Sequence, residues 1–192
     1  MHELPRRHRI TVEHFYRMAE VGLFGEDERV ELIEGEIVDV PPMGHAHAGV
    51  VGYLVEVLMR SLAERAIVRP QLPLRLGEDS EPLPDIVVAR PREDRYFGAH
   101  PTASDVVLVV EVSSTTLRFD RNVKVPMYAR HGVPEVWVLD VGAQQVHRYS
   151  SPRDGQYAAT TIPLATRLPL DALECDIDLR SLAARLADAQ AR

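Results

Sequence analysis

The run Val106-Val-Leu-Val-Val-Glu-Val112 constrains this chain more than any other segment. Five consecutive apolar residues, all but one of them valine, bounded by turn formers, describe a short strand buried on both faces. A strand of that kind must be covered on each side, so the sheet it belongs to needs packed helices. Glu111 is the anomaly in the run. An ionised carboxylate inside such a strand is costly unless a metal or a cation compensates it.

The flanking segments supply the rest of an α/β (α+β) domain. Val12, Phe15, Met18 and Ala19 recur at helical spacing after Thr11, a plausible N-cap, and this helix ends near Gly22 or Gly25. Arg29 to Val40 reads as two short strands hinged at Glu34-Gly35, with Pro41 and Pro42 stopping the second. From His45 to Arg65, Val50, Val51, Leu54, Val55, Leu58 and Leu62 keep the helical period, which predicts the longest helix, lying across the sheet. Strands are expected near Ala66 to Arg69, over Leu72 to Leu76, over the stretch opened by Pro84-Asp85, and from Asp105 to Val112.

A helix around Asn122 to His131 should end at Gly132 and lead into the strand Glu135-Val-Trp-Val-Leu-Asp140. Strand, helix, strand in that order implies a parallel crossover. Pro126 fits only the first turn of that helix, which leaves Lys124 on a less regular segment. A hairpin follows, Gln145 to Tyr149 and Gln156 to Ile162 about Ser151-Pro-Arg-Asp-Gly155, then a final helix carrying Leu179, Leu182 and Leu186. With neither repeat nor linker in sight, residues 1–192 are expected to form one domain.

Composition excludes several classes. Cys175 is the only cysteine, so there is no intrachain disulfide and no multi-cysteine zinc site, and it reads as a small buried apolar side chain. No run approaches the roughly 18 to 20 apolar residues of a membrane helix, and Met1 to Arg9 is basic with no apolar signal core behind it, so a cytoplasmic protein is expected. The formal net charge of -7 argues against a protein that wraps nucleic acid by charge alone. A nuclease is still compatible with it, because catalytic carboxylates add negative charge that metals offset.

Asp85 begins one strand and Glu111 ends the next long one. If the two pair antiparallel, the start of the first lies beside the end of the second and the carboxylates converge. Oxygen ligands of this kind suit Mg²⁺ or Mn²⁺, which polarise a phosphate and acidify a bound water. Lys124, at the start of the next helix, can return to that strand end and supply a cation, and Asp120 can cap the helix or orient Lys124.

Glu31-Leu-Ile-Glu-Gly35, Pro84-Asp85, Glu111-Val-Ser-Ser114, Asp120-Arg-Asn-Val-Lys124 with Tyr128, and Gly132-Val-Pro-Glu-Val-Trp-Val-Leu-Asp140 together resemble the Uma-type restriction-endonuclease family of the PD-(D/E)xK nuclease superfamily. The resemblance runs in order from about Thr11 to Asp140 and more weakly through the C-terminal hairpin. It implies a restriction-endonuclease-like core, a mixed sheet flanked by helices, with Asp85 and Glu111 as metal ligands and Lys124 as the catalytic lysine. One departure stands out: the superfamily pattern puts lysine two residues after the glutamate, where this chain has Ser113. Lys124 would then supply the amine from the helix.

Each of these residues has a plainer reading. Asp85 could be a strand-start aspartate, Glu111 an ion-pair partner of Arg118 or Arg121, and Lys124 a solvated helix-face lysine. Glu31 is either the polar face of a hairpin or, from the family match, a further acid near the metal. His47 points at the site from the first turn of its helix or is simply a satisfied, partly buried histidine, while Trp137 and Tyr128 read as core. The function expected is metal-dependent cleavage of DNA phosphodiester bonds with Mg²⁺ or Mn²⁺, by a homodimer. The alternatives are a nuclease-like scaffold that no longer cuts and serves as a nucleic-acid or protein interaction module, and hydrolysis of another phosphorylated substrate.

Overall fold

A computed structural model of the chain describes residues 7–190. The basic start of the sequence, apart from its last three residues, lies outside that range. Elements are numbered in chain order: helix α1 is Val12–Glu20, strands β1 and β2 are Val30–Ile33 and Glu36–Asp39, and helix α2 is His45–Leu62. Strands β3, β4 and β5 follow at Ile67–Pro70, Ile86–Ala89 and Val106–Ser113. Helical turns α3, Leu117–Phe119, and α4, Val125–Arg130, flank a π-helical segment, Asp120–Lys124. The C-terminal part holds β6 Glu135–Asp140, β7 Gln145–Arg153, β8 Gln156–Pro163, β9 Arg167–Leu170, β10 Cys175–Asp178 and helix α5 Arg180–Gln190.

Six strands form one mixed sheet in the order β3-β4-β5-β6-β7-β8. Only the β5–β6 pair is parallel, as a strand–helix–strand connection demands; the other neighbours run antiparallel. Every residue of β5 is buried, as its unbroken apolar run requires. Alternation along the strands builds two cores. Ile86, Val88, Leu108, Val110, Trp137 and Leu139 face α2 and α5, whereas Val87, Val109, Val136 and Val138 face Met127, Tyr128 and Val133 on and after α4. Glu111 shares its parity with Val109, so its side chain is sent to the α4 side of the sheet.

Several local expectations hold for identifiable reasons. Thr11 caps α1 by accepting the His14 N–H at 3.2 Å. The β1–β2 hairpin turns on Glu34 and Gly35, both at positive φ, the geometry of the two-residue turn whose twist matches its strands. At Gly35 a Cβ would lie 2.6 Å from Arg9 Cβ, so no other residue fits. Among the described residues no helix is long and apolar enough to cross a membrane.

Other expectations are corrected. Leu72 to Leu76 is not a strand, although Leu74 and Leu76 are buried. Pro70 and Pro73 cannot donate to a ladder, and the backbone is tied instead by loop bonds such as Leu74 N–H to Pro82 O and Leu76 N–H to Ser80 O. The β7–β8 hairpin is longer than its apolar pattern suggested: the strands run to Arg153 and from Gln156, past an irregularity between Ser150 and Arg153, and turn on Asp154-Gly155. The antiparallel pair β9–β10 has no counterpart in the sequence reading. Cys175, at the start of β10, is only partly buried.

Candidate active site

The β4–β5 register decides the site. Ile86 pairs with Val110 in an antiparallel ladder, so the residues one step outside that pair, Asp85 and Glu111, stand side by side at the sheet end. The Asp85 N–H points at Glu111 Oε2 across 3.5 Å, and the Val112 N–H donates to Asp85 Oδ2 at 2.7 Å. His47, in the first turn of α2, holds the other oxygen of Asp85, its Nε2 lying 2.9 Å from Oδ1. His47 thus lines the cleft as a partnered histidine. The bond to Asp85 raises the His47 pKa against the opposing effect of burial.

Lys124 enters from the π-helical segment with its Nζ 3.1 Å from Glu31 Oε2 and 3.4 Å from Glu111 Oε1. All three side chains are buried. Glu31, on β1, also accepts the Leu83 N–H at 3.0 Å, so it is no member of a wet hairpin face. Glu111 is held by Lys124 and by Tyr128, whose hydroxyl donates to Oε1 at 2.6 Å, and neither Arg118 nor Arg121 takes part. Tyr128 is the contact the sequence reading missed. The signal was present in the spacing, since Tyr128 follows Lys124 by one helical turn and therefore shares its face.

Asp120 neither caps the helix nor touches the Lys124 ammonium. It is buried and accepts from Ser113 Oγ at 2.7 Å and Thr116 Oγ1 at 2.6 Å, which ties the start of the π segment to the end of β5. The π segment itself answers to Pro126. The regular helix resumes only at Val125, with Pro126 in its first turn, and the Val125 N–H reaches back to Asp120 O across the wider turn. A chain that lacks one N–H at Pro126 loses nothing by widening just before it, and such bulges are frequent at functional sites.

Electrostatically the cluster carries more acid than base. Glu31, Asp85, Glu111 and Asp120 surround one lysine and one histidine in a cleft of about 250 Å³ that Arg29 also lines. Burial pushes the Glu111 carboxyl up to about 8, with the nearby Asp120 and Asp85 charges adding to the effect and Lys124 and the Tyr128 hydroxyl opposing it. Burial alone would lower the Lys124 pKa, but Glu111, Glu31 and Asp120 more than reverse that and keep it raised. The two directions agree physically: the single ammonium stays charged, yet it cannot neutralise all the acids around it. A proton on Glu111, or a cation, must supply the rest.

Among the described residues no three His, Cys, Asp or Glu side chains form a ready metal cage. The donor set nevertheless fits a hard divalent ion. Mg²⁺ is commonly held by one or two carboxylates, the remaining positions being filled by water and substrate phosphate. Asp85 and Glu111 are two such carboxylates on one cleft, and Glu111 Oε2 has only the long contact from Asp85 N–H.

Comparison with known proteins agrees with the fold and the family. No curated protein matches the sequence. A crystal structure of "a putative nuclease belonging to DUF820" from Anabaena variabilis superposes with a TM-score of 0.69 at 20% identity, covering 92% of this chain and 99% of that one. That likeness shows a shared nuclease-like fold, a mixed sheet flanked by helices. A family model described as "Uma2: Putative restriction endonuclease" matches residues 12–183, a span that includes every residue of the cleft named above, and the chain belongs to that family.

Proposed function

We propose that this protein is a metal-dependent endonuclease that hydrolyses DNA phosphodiester bonds, with Mg²⁺ or Mn²⁺ held by Asp85 and Glu111. The observation that carries the reading is the meeting of these two carboxylates, from adjacent strands, with the Lys124 ammonium in one cleft. When bound, the ion would polarise the phosphate and acidify a water. The chain's own groups do the positioning. Tyr128 orients Glu111, while His47 and the Val112 N–H orient Asp85. Glu31 holds Lys124 at the cleft, where its charge would stabilise the phosphate as negative charge builds on it.

The test is incubation with plasmid and with short single strands across several divalent metals, beside Asp85→Ala and Lys124→Ala. Cutting that needs metal and is lost in folded variants supports the reading. Metal-dependent cutting that survives Asp85→Ala refutes it.

A second reading is a nuclease-like scaffold that no longer cuts and serves as a nucleic-acid or protein interaction module. Its support is that Lys124 already engages both glutamates and that no three-ligand cage exists among the described residues. Such a module need show no Mg²⁺-linked stabilisation, so a metal titration followed by melting separates the two. We further propose a single domain over residues 1–192, a cytoplasmic setting consistent with the lone cysteine, and a homodimer joined through an edge of the sheet, where β3 and β8 are the outer strands. Light scattering tests the last.

A further inference from the structure

The loop between β4 and β5 spends conformational freedom on holding an aromatic ring in water. Phe97 is 94% exposed, more than any other large apolar side chain among the described residues. The chain before it passes through Arg95 and Tyr96, both at positive φ, a conformation that side chains with a Cβ rarely adopt and that persists only when the surroundings enforce it. The enforcement is visible. The Tyr96 hydroxyl donates to Arg90 O at 2.8 Å, Asp94 accepts the Tyr96 N–H at 3.2 Å, and Arg92 clamps Asp94 while donating to Ala99 O at 3.2 Å. Phe97 is therefore presented from a braced loop.

The surroundings favour an anionic, aromatic ligand. Phe97 and Tyr16 line a groove of about 460 Å³ together with Arg75 and His100. The one acid on its floor, Glu81, is already covered by the Tyr16 hydroxyl and by Arg75 at 3.7 Å. Beside Tyr96, which lines the groove, Arg69 on β3 is 9% exposed, and its side chain makes neither an ion pair nor a hydrogen bond. Its Nε is buried without a partner, and its only described interaction is with the Tyr96 ring, 5.2 Å from the centroid. A guanidinium whose Nε is shut away from water and that has no counter-anion is costly, and an anion reaching its other nitrogens would offset the cost.

One edge of the groove adjoins the candidate cleft, although Phe97 itself sits on the loop at the opposite end of β4 and β5 from Asp85 and Glu111. Glu81 lines the groove and Leu83 lines the Asp85–Glu111 cleft, so their Cα atoms lie within about 7 Å of one another along the chain. Resting on the nuclease reading, and naming a substrate feature that reading leaves open, we propose that Phe97 is a stacking platform for an unpaired nucleobase of a single-stranded segment, with Arg69 and Arg75 drawing the adjoining phosphates. Aromatic stacking with a nearby basic groove is how single strands are bound without sequence preference, because every base offers a π-face.

The probe is a short fluorescein-labelled oligothymidine titrated into the full chain in EDTA, read by anisotropy, so that nothing is cut. Phe97→Ala is expected to bind about 5- to 150-fold more weakly, the loss of one stacked base. Phe97→Leu, which keeps apolar area but has no ring, should fall with it. Phe97→Trp should bind and show quenching of the added indole, against the buried Trp137 as background. Arg69→Met should flatten the log Kd versus log salt slope by roughly 0.7, the mark of one phosphate contact on a single strand. Equal affinity of wild type, Phe97→Ala and Phe97→Leu, or no binding by wild type, overturns the platform. The nuclease reading is judged separately, by metal-dependent cutting of plasmid, and can stand when the platform falls.

Discussion

Replacing Tyr128 by Phe removes one oxygen from a fully buried ring, and its partner sets what that oxygen is worth. The hydroxyl donates to Glu111 Oε1 at 2.6 Å, and with both groups buried no solvent is at hand to take over. A hydrogen bond to a charged acceptor contributes about 1.5–3 kcal/mol, against about 0.5–1.5 kcal/mol for a neutral one. Tyr157 gives an internal control, since its hydroxyl donates over the same 2.6 Å to a neutral acceptor, Val133 O. In alkaline buffer Tyr128→Phe should therefore cost about 1–2 kcal/mol more than Tyr157→Phe, and lower the melting temperature by roughly 4–10 °C for a chain of this size.

The cost should also depend on pH, with a sign fixed by Glu111. Its carboxyl, ordinarily near 4.5, is pushed up to about 8 by burial, and the Tyr128 bond is one of the influences holding it down. A raised folded-state pKa contributes stability that is fully present below the unfolded value and is lost as pH climbs through the folded one. Deleting the hydroxyl raises the folded value further, so the penalty should be small where Glu111 is protonated in both proteins and should open above about pH 8. Urea melts of both variants and wild type at about pH 6 and about pH 9 measure it. A penalty for Tyr128→Phe that is flat with pH, or no larger than that of Tyr157→Phe, would refute the charged-acceptor argument.

Lys124→Met should destabilise by about 3–5 kcal/mol at alkaline pH, because two buried glutamates lose their only ammonium, and by less in denaturant melts near pH 6, where Glu111 holds a proton. Mg²⁺ should raise the melting temperature of wild type more above about pH 8 than at pH 6, since Glu111 must shed its proton before it can act as a ligand; Asp85→Ala should show no such gain at either pH. Gly35→Ala should cost more than about 1 kcal/mol because φ is +78° and the new Cβ meets Arg9, whereas Gly49→Ala, mid-helix with nothing within 4 Å, should stabilise by about 0.5–1 kcal/mol; thermal melts of the pair check the contrast.

What could be read from the residues was whatever is local or periodic. The helical stripe from Val50 to Leu62 gave α2, the turn at Glu34-Gly35 gave the first hairpin, and the apolar run to Glu111 gave the buried central strand. The juxtaposition of Asp85 and Glu111 followed from one further assumption, antiparallel pairing, and the ladder has it. What escaped was long-range or short. The β9–β10 pair has only four residues in each strand, and although Arg167-Leu-Pro-Leu170 and Cys175-Asp-Ile-Asp178 each alternate, so short a run, with Pro169 inside one, is too little to mark a strand. Leu72 to Leu76 looked like a strand because burial alone makes a segment apolar, whether or not a ladder forms. Tyr128 looked like core because it is core; its spacing put it on the Lys124 face, but the carboxylate its hydroxyl meets there, seventeen residues earlier, comes from another element.

Under the proposed function, Ser113 and Lys124 are one substitution of parts. The superfamily pattern that the sequence resembles would put an amine at position 113, on the strand that carries Glu111, and there the backbone alone would fix its reach. This chain has a hydroxyl there, and that hydroxyl is not idle: it holds Asp120, the first residue of the π segment, at 2.7 Å. Thr116 grips the same carboxylate oxygen, so the segment that delivers Lys124 is pinned to the strand end at its start. Pro126 then fixes where the regular helix resumes, and Tyr128 pins the far side through Glu111. An amine delivered from a helix needs these tethers, because a lysine side chain alone has too many rotamers to hold one position. If that is so, Ser113→Ala should loosen the geometry of Lys124 without removing any group that meets the substrate. Under the proposed function its deficit should appear in the turnover rate more than in metal affinity, and a Ser113→Ala protein that cuts as fast as wild type would show that the segment is held by Pro126 and Tyr128 alone.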